Sequence, residues 1–275
     1  MIVRVPASTA NLGPGFDALG MALTLHLEFS LVPDPERAAC DEDHPAMKAY
    51  RSVGGEGAAW VRSPIPVGRG LGFSGSARVA GLVAGLALRE GSGFSVAGAR
   101  RELLERATAL EGHADNVAAS IFGGVVATAA GQAVQVPLPF DPAVIAWVPT
   151  AKTSTDESRG MVRRSITFDD AVFNIGRTAL LVAALAAGDV DVLRAATEDR
   201  LHQDVRFERA SGSRHALELA LGAGAWCGWL SGSGPTVAAL SPWERAEAVA
   251  AALPSDDAAV KVLRIDHAGA VIERD

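Results

Sequence analysis

Pro66-Val67-Gly68-Arg69-Gly70-Leu71-Gly72-Phe73-Ser74-Gly75-Ser76 runs straight into the apolar stretch Ala77-Arg78-Val79-Ala80-Gly81-Leu82-Val83-Ala84-Gly85-Leu86-Ala87-Leu88. Glycines at 68, 70, 72 and 75 let the backbone take positive φ and approach a ligand closely, and a helix over 77–88 would aim its unpaired N–H groups into the loop. Such a joint binds anions, phosphate above all. A tight strand-to-helix turn has the same look, so the spacing alone leaves both readings open. No Gly-x-x-x-x-Gly-Lys-Ser/Thr occurs, and the three lysines (48, 152 and 261) lie away from the loop, which excludes the lysine-bearing P-loop. Gly70-x-Gly72-x-x-Gly75 matches dinucleotide-binding spacing, but the segment after the helix reads as a second helix, not as a strand ending in an acid. A phosphate bound here would be held by backbone amides and Ser74.

The chain around this loop has an ordinary globular composition, 49% hydrophobic and 21% charged over 275 residues, which is enough for two domains. A net charge of -7 disfavours nucleic acid as a partner. The first residues carry no apolar core of signal-peptide length, and the apolar runs around 79–88 and 179–187 fall short of a membrane span, so no membrane partner is expected. Cys40 and Cys227 fit neither a zinc nor a redox pattern; a reducing, cytoplasmic setting is expected.

Patterning predicts strands over 2–5, 21–32 and 58–65, with a turn-rich loop from Ser8 to Asp17 and a helix capped by Asp43 that stops at Gly54. Beyond the glycine loop, helices are predicted over 95–110 and 113–122, and a hairpin over 125–129 and 133–136. Pro137 to Pro142 reads as a surface turn and sets the expected boundary between domains 1–140 and 141–275. The second half opens with a buried strand over 144–148. A short helix over 155–161 follows, then a long apolar helix capped by Thr167-Phe168-Asp169-Asp170 that ends near Gly188. Helices over 189–198, 213–221 and 244–253 follow, with strands over 237–240 and 259–265 and a second glycine turn from Ser231 to Thr236. The mixture predicts an α+β fold of antiparallel sheets carrying helices on one face.

Glu111-Gly112-His113-Ala114-Asp115-Asn116 joins two predicted helices, and Asp115 or Asn116 there could serve only as a helix cap. A phosphate loop usually works with a divalent cation held by one or two protein oxygens, and Glu111 with Ser74 would supply such a pair. Arg159 and Arg206 could grip a carboxylate or phosphate, but spacing does not single them out among the other arginines.

Three separated segments together resemble the superfamily of galacto-, homoserine, mevalonate and phosphomevalonate kinases: the loop from Pro6 to Asp17, the Gly70 to Ser74 loop, and the turn from Ser231 to Thr236. Within it the chain is similar to the homoserine kinase family. The similarity rests on Asn11 to Asp17, on Glu111 to Val117, and on the stretch from Ser154-Thr155 through Phe173-Asn174 to Asp199-Arg200-Leu201-His202-Gln203. The resemblance implies a ribosomal-S5-domain-2-like N-terminal domain binding ATP and a C-terminal ferredoxin-like α/β sandwich contributing substrate residues. It implies ATP-dependent phosphorylation of L-homoserine in threonine biosynthesis, with Mg2+ and, more weakly, a homodimer. Ser74 and Glu111 match its metal ligands, and Pro66 to Ser76 its nucleotide loop. Arg159 and Arg206 match the arginines on the substrate carboxylate, and Asp17 the acid near its ammonium. Asn11, His113, Thr155 and Asn116 match residues lining the reacting hydroxyl, and Gly232 closes the pocket.

The chain departs from the family loop where Phe73, Gly75 and Ser76 replace a serine and two alanines; Phe73 removes one phosphate-side hydroxyl. Asn116 stands where sugar and mevalonate relatives carry an aspartate, so no dedicated carboxylate base is expected. Loop amides, helix N-terminus and metal would supply most of the rate enhancement. Another kinase of the superfamily and a silent nucleotide sensor are the alternatives; two arginines with Asp17 suit a zwitterion better than a sugar.

Overall fold

The computed structural model describes residues 1–153, 155–162 and 165–273, and the backbone alone at 155 and 156. Strands β1 (Ile2–Ala10) and β2 (Leu19–Ser30) pair antiparallel at the centre of a seven-stranded sheet, with the loop 11–18 between them. Alternation along β2 sends Leu23, Leu27 and Phe29 fully inward, each contributing about 1.5–3 kcal/mol by burial. Four further strands of the sheet are β3 (Ala38–Ala39), β4 (Trp60–Arg62), β5 (Val125–Ala129) and β6 (Gln132–Val136), and the seventh is formed by residues 271–273. Helices α1 (Pro45–Ser52), α2 (Phe73–Glu90), α3 (Val96–Glu111) and α4 (Asp115–Phe122) belong with it, α2 and α4 lying on β1 and β2.

The second sheet has the order β10-β7-β9-β8, all antiparallel, from β7 (Ala143–Pro149), β8 (Cys227–Leu230), β9 (Val237–Ser241) and β10 (Ala258–Leu263). Before β8 come α5 (Thr155–Gly160), α6 (Phe168–Ala187), α7 (Leu193–Ala196), α8 (Gln203–Phe207) and α9 (Ser211–Gly222); α10 (Trp243–Ala251) follows β9. β7 is buried on both sides. Ile145 and Trp147 join Ala216 and Val249 of α9 and α10 in a small core, while Val144 and Val148 point into the main core shared with the first sheet. The two halves therefore meet along a continuous packed seam.

Several expectations are corrected. β1 continues through Ser8 to Ala10, because a register shift between Pro6 and Ala7 lets the strand carry its proline and go on pairing with β2. α2 begins at Phe73, four residues early, since Gly72 in the left-handed region accepts the Ser76 N–H at 2.9 Å. His44, not Asp43, caps α1, its Nδ1 accepting from the Ala46 amide. The helix expected over 189–198 contracts to α7, and the strand over 58–65 to β4. The final strand β11 (Val271–Glu273) pairs with β1, so residues after 140 are not confined to the second sheet. α6 is long and apolar enough by composition to cross a membrane, against expectation. Here Leu181, Ala184 and Leu185 pack into the main core, and Asn174 and Thr178 donate to Pro14 O.

Candidate active site

One cleft of about 790 Å³, counting its open mouth, lies at the seam and is lined from every motif segment: Asn11, Phe16 and Asp17, residues 66–74, Glu111, His113, Asp115 and Asn116, the two arginines 159 and 206, and Gly232. The loop's shape is set by what it touches. Gly72 has φ +68° and a Cβ there would sit 2.0 Å from Ser8 Oγ; at Gly70 (φ +78°) it would sit 2.2 Å from Ser231 O. Both positions exclude a side chain. Ser231 Oγ donates to Gly70 O at 2.6 Å, and the Arg69 guanidinium donates to Pro149 O and Thr150 O, so the second half grips the loop of the first.

The first i→i−4 bond of α2 comes from Ser76, which leaves the amides of Phe73 and Ser74, both lining the cleft, for an anion at the helix start. Among the expected nucleotide contacts, Gly75 and Ser76 do not line the cleft. Ser76 is wholly buried with its hydroxyl on Pro6 O at 2.7 Å, and the Gly75 α-carbon faces Val117, because the early helix start turns both inward. Phe73 does line it, edge-on to the His44 ring at 5.6 Å between centroids.

Ser74 Oγ donates to Glu111 Oε2 at 3.0 Å, joining the start of α2 to the end of α3. Two oxygens so held suit a divalent cation that takes its other ligands from phosphate and water; among the described residues no cluster of three or more His, Cys, Asp or Glu side chains offers a fuller cage. A positive group already lies there. Arg78, one turn along α2, donates to Ser74 Oγ at 2.5 Å and pairs with the Glu111 carboxylate; burial lowers its pKa from the usual value. Sequence reading missed Arg78 because it began the helix at 77, so the i, i+4 relation of 74 and 78 was invisible.

Asn116, on α4, accepts the Ser8 hydroxyl at 2.8 Å. Its neighbour Asp115 is 2% exposed, and its Oδ1 accepts from the Asn116 amide (2.7 Å), from Asn116 Nδ2 (3.3 Å) and from His113 Nδ1 (3.1 Å). Asp115 therefore orients both polar neighbours, more than a helix cap would.

At the other end of the cleft, Asn11 (φ +70°) accepts the Asp17 amide at 3.1 Å and donates to Gly232 O at 3.0 Å. Arg159 grips Asp17 bidentately at 2.8 Å on both oxygens. Arg206, 5% exposed, donates to Gly232 O (3.1 Å) and His202 Nδ1 (2.9 Å), while its buried Nε has no partner among the described residues. Both guanidiniums stack against Phe16, at 5.6 and 5.3 Å from its centroid. Burial first, and the nearby Arg159 charge second, lower Arg206 to about 10. His202 Nε2 donates to Gly13 O at 2.8 Å, which leaves Nδ1 to accept; burial pushes its pKa down and keeps it neutral. Asp199, although burial pushes its pKa up, ends below the usual range through His202, Asn174 and the amides of Gln203 and His202. Phe16 and His202 were legible only as members of quoted motifs, and α8, which carries Arg206, is five residues long and gave no periodic signal. The Thr155 side chain lies outside the described residues.

The GHMP kinase N-terminal domain model matches residues 44–124 and the GHMP kinase C-terminal model residues 181–259. A homoserine kinase of Thermus thermophilus is 39% identical over 254 residues, covering 86% of this chain and 85% of the relative. That of Desulfitobacterium hafniense is 36% identical over 98% of this chain and 99% of the relative. The crystal structure of homoserine kinase from Cytophaga hutchinsonii superposes with a TM-score of 0.83 at 25% identity, covering 98% and 96% of the two chains. Fold, cleft and relatives agree, and the chain belongs to the homoserine kinase family of GHMP kinases.

Proposed function

We propose that this cleft transfers the γ-phosphoryl group of ATP to the hydroxyl of L-homoserine, giving O-phospho-L-homoserine. The observation that carries the reading is one cavity holding an amide-lined loop and helix N-terminus at one end and two arginines with an acid at the other. Arg206 lines that second end, and its guanidinium suits a carboxylate. Arg159 and Asp17, paired with each other, present the two charges that a zwitterion's carboxylate and ammonium would each take up.

The loop amides from Gly68 to Ser74 would hold the polyphosphate, and Ser74 with Glu111 would hold Mg2+. When bound, that ion supplies charge neutralisation at the phosphates. Asn116 and His113, both oriented by Asp115, with Asn11, would hold the substrate hydroxyl in line, and closure around the loop would exclude water. Three donors already occupy Asp115 Oδ1, and no carboxylate base is assigned: alignment and charge compensation supply the rate.

Release of ADP in a panel of homoserine, mevalonate, shikimate and galactose, with and without magnesium, tests this. Turnover with homoserine alone is expected. Faster turnover of another alcohol, or tight nucleotide binding with no turnover, overturns it.

A further inference from the structure

The two oxygens assigned to the divalent cation are bridged by this chain's own Arg78. It is the one charged residue between Ala77 and Leu88, on a helix whose inner face is alanine, glycine, valine and leucine. Glu111, its carboxylate partner, has a side chain only 10% exposed, and that of Arg78 is 26% exposed. A helical side chain leans toward the N-terminus, so the guanidinium lies over the start of α2, beside the loop that lines the cleft. A guanidinium and a divalent ion compete for the same two oxygens: like charges repel, and Glu111 Oε2 already meets both the Ser74 hydroxyl and Arg78.

We propose that Arg78 is the resident counter-ion of the metal position and a positioning residue for nucleotide. In the nucleotide-free cleft it neutralises Glu111 and ties it to Ser74. When magnesium nucleotide loads, the ion displaces it and the guanidinium turns to a phosphate oxygen, the anion next within its reach. Two consequences follow from charge conservation in the site. Nucleotide without metal still finds a cation at the loop, and metal without nucleotide has to compete with one. The proposal rests on the reading of this loop as a magnesium-nucleotide site.

The test is calorimetry of ADP with full-length protein in EDTA and across a magnesium titration, together with paramagnetic-resonance titration of Mn2+ in the absence of nucleotide. Wild-type protein, Arg78→Met and Arg78→Lys are compared. Loss of one charge-assisted contact predicts about tenfold weaker metal-free ADP binding in Arg78→Met. Half-saturating magnesium should fall by about the same factor, and Mn2+ should bind the nucleotide-free variant but not the wild type. Arg78→Lys should restore most of the wild-type pattern, and Arg78→Gln, also uncharged, replaces the methionine variant where that fails to fold. Metal-free ADP affinity and metal half-saturation within twofold of wild type in the uncharged variant overturn the role of Arg78 alone. Wild-type protein that binds no ADP even with magnesium overturns the reading of the loop and this role with it.

Discussion

The two ends of the cleft are built in opposite ways. The end proposed for phosphate is mainly backbone: contiguous residues 66–74, two glycines fixed by contacts that a Cβ would break, and the start of one helix. The end proposed for the amino acid is side chains from separate segments, Asp17 from the β1–β2 loop, Arg159 from α5 and Arg206 from α8, which pair with one another or with His202. A triphosphate has the same shape in every kinase reaction and can be met by fixed amides. A particular amino acid is met by groups that sequence changes can exchange without disturbing the loop. Catalytic power should therefore concentrate at the first end and substrate choice at the second.

The largest effect expected is from Glu111→Ala, which removes the carboxylate of the metal position: kcat should fall about 10³-fold with the KM for homoserine little changed, read by steady-state kinetics. A drop in homoserine affinity of similar size would erase the division between the two ends. Next come the arginines, and they should differ. Arg206→Met removes a buried, doubly bonded cation and should lower kcat/KM for homoserine about 100-fold, whereas Arg159→Met, whose side chain is 42% exposed, should cost about tenfold. Equal losses would show that burial does not set their worth.

Asn116→Ala should lower kcat about tenfold to 100-fold without abolishing it, since in the proposed reaction the asparagine aligns the hydroxyl and takes no proton. A loss as deep as that of Glu111→Ala, with a new pH dependence, would argue for a base acting through it. The smallest effect concerns His202. Its pKa is lowered in the folded chain, so between that value and 6.5 the unfolded chain binds a proton the folded one refuses. Stability is complete above pH 6.5 and declines as pH falls below it. His44 shifts the same way, and Asp199 adds a further loss only below pH 4, so the readout is a difference. His202→Gln should reduce the fall in Tm between pH 7 and 5.5 by about 2–4 °C relative to wild type. An unchanged slope would mean that the imidazole is not held neutral against Arg206.

The same contrast governs what could be read from the chain alone. The glycine loop, the Thr167 cap and Gly188 stop of α6, and the 125–136 hairpin are local patterns, and all stand in the structure. The start of α2 was misread by four residues, since Phe73-Ser74-Gly75-Ser76 has the composition of a turn and becomes helical only when Ser76 is buried on Pro6. That small error hid Arg78. β3 and β11, of two and three residues, are too short to alternate and exist through their partners.

By itself the sequence determined the family and the place of the glycine loop, and it named the residues proposed here to meet an amino acid, because glycine placement and motif order are properties of the chain. Only the tertiary structure decided that Arg78 faces Glu111, that Asp115 orients His113 and Asn116, and that neutral His202 steadies Arg206. Those are relations of charge and burial. Their partners are brought together by helices closing on two sheets, and no spacing along the chain encodes that distance.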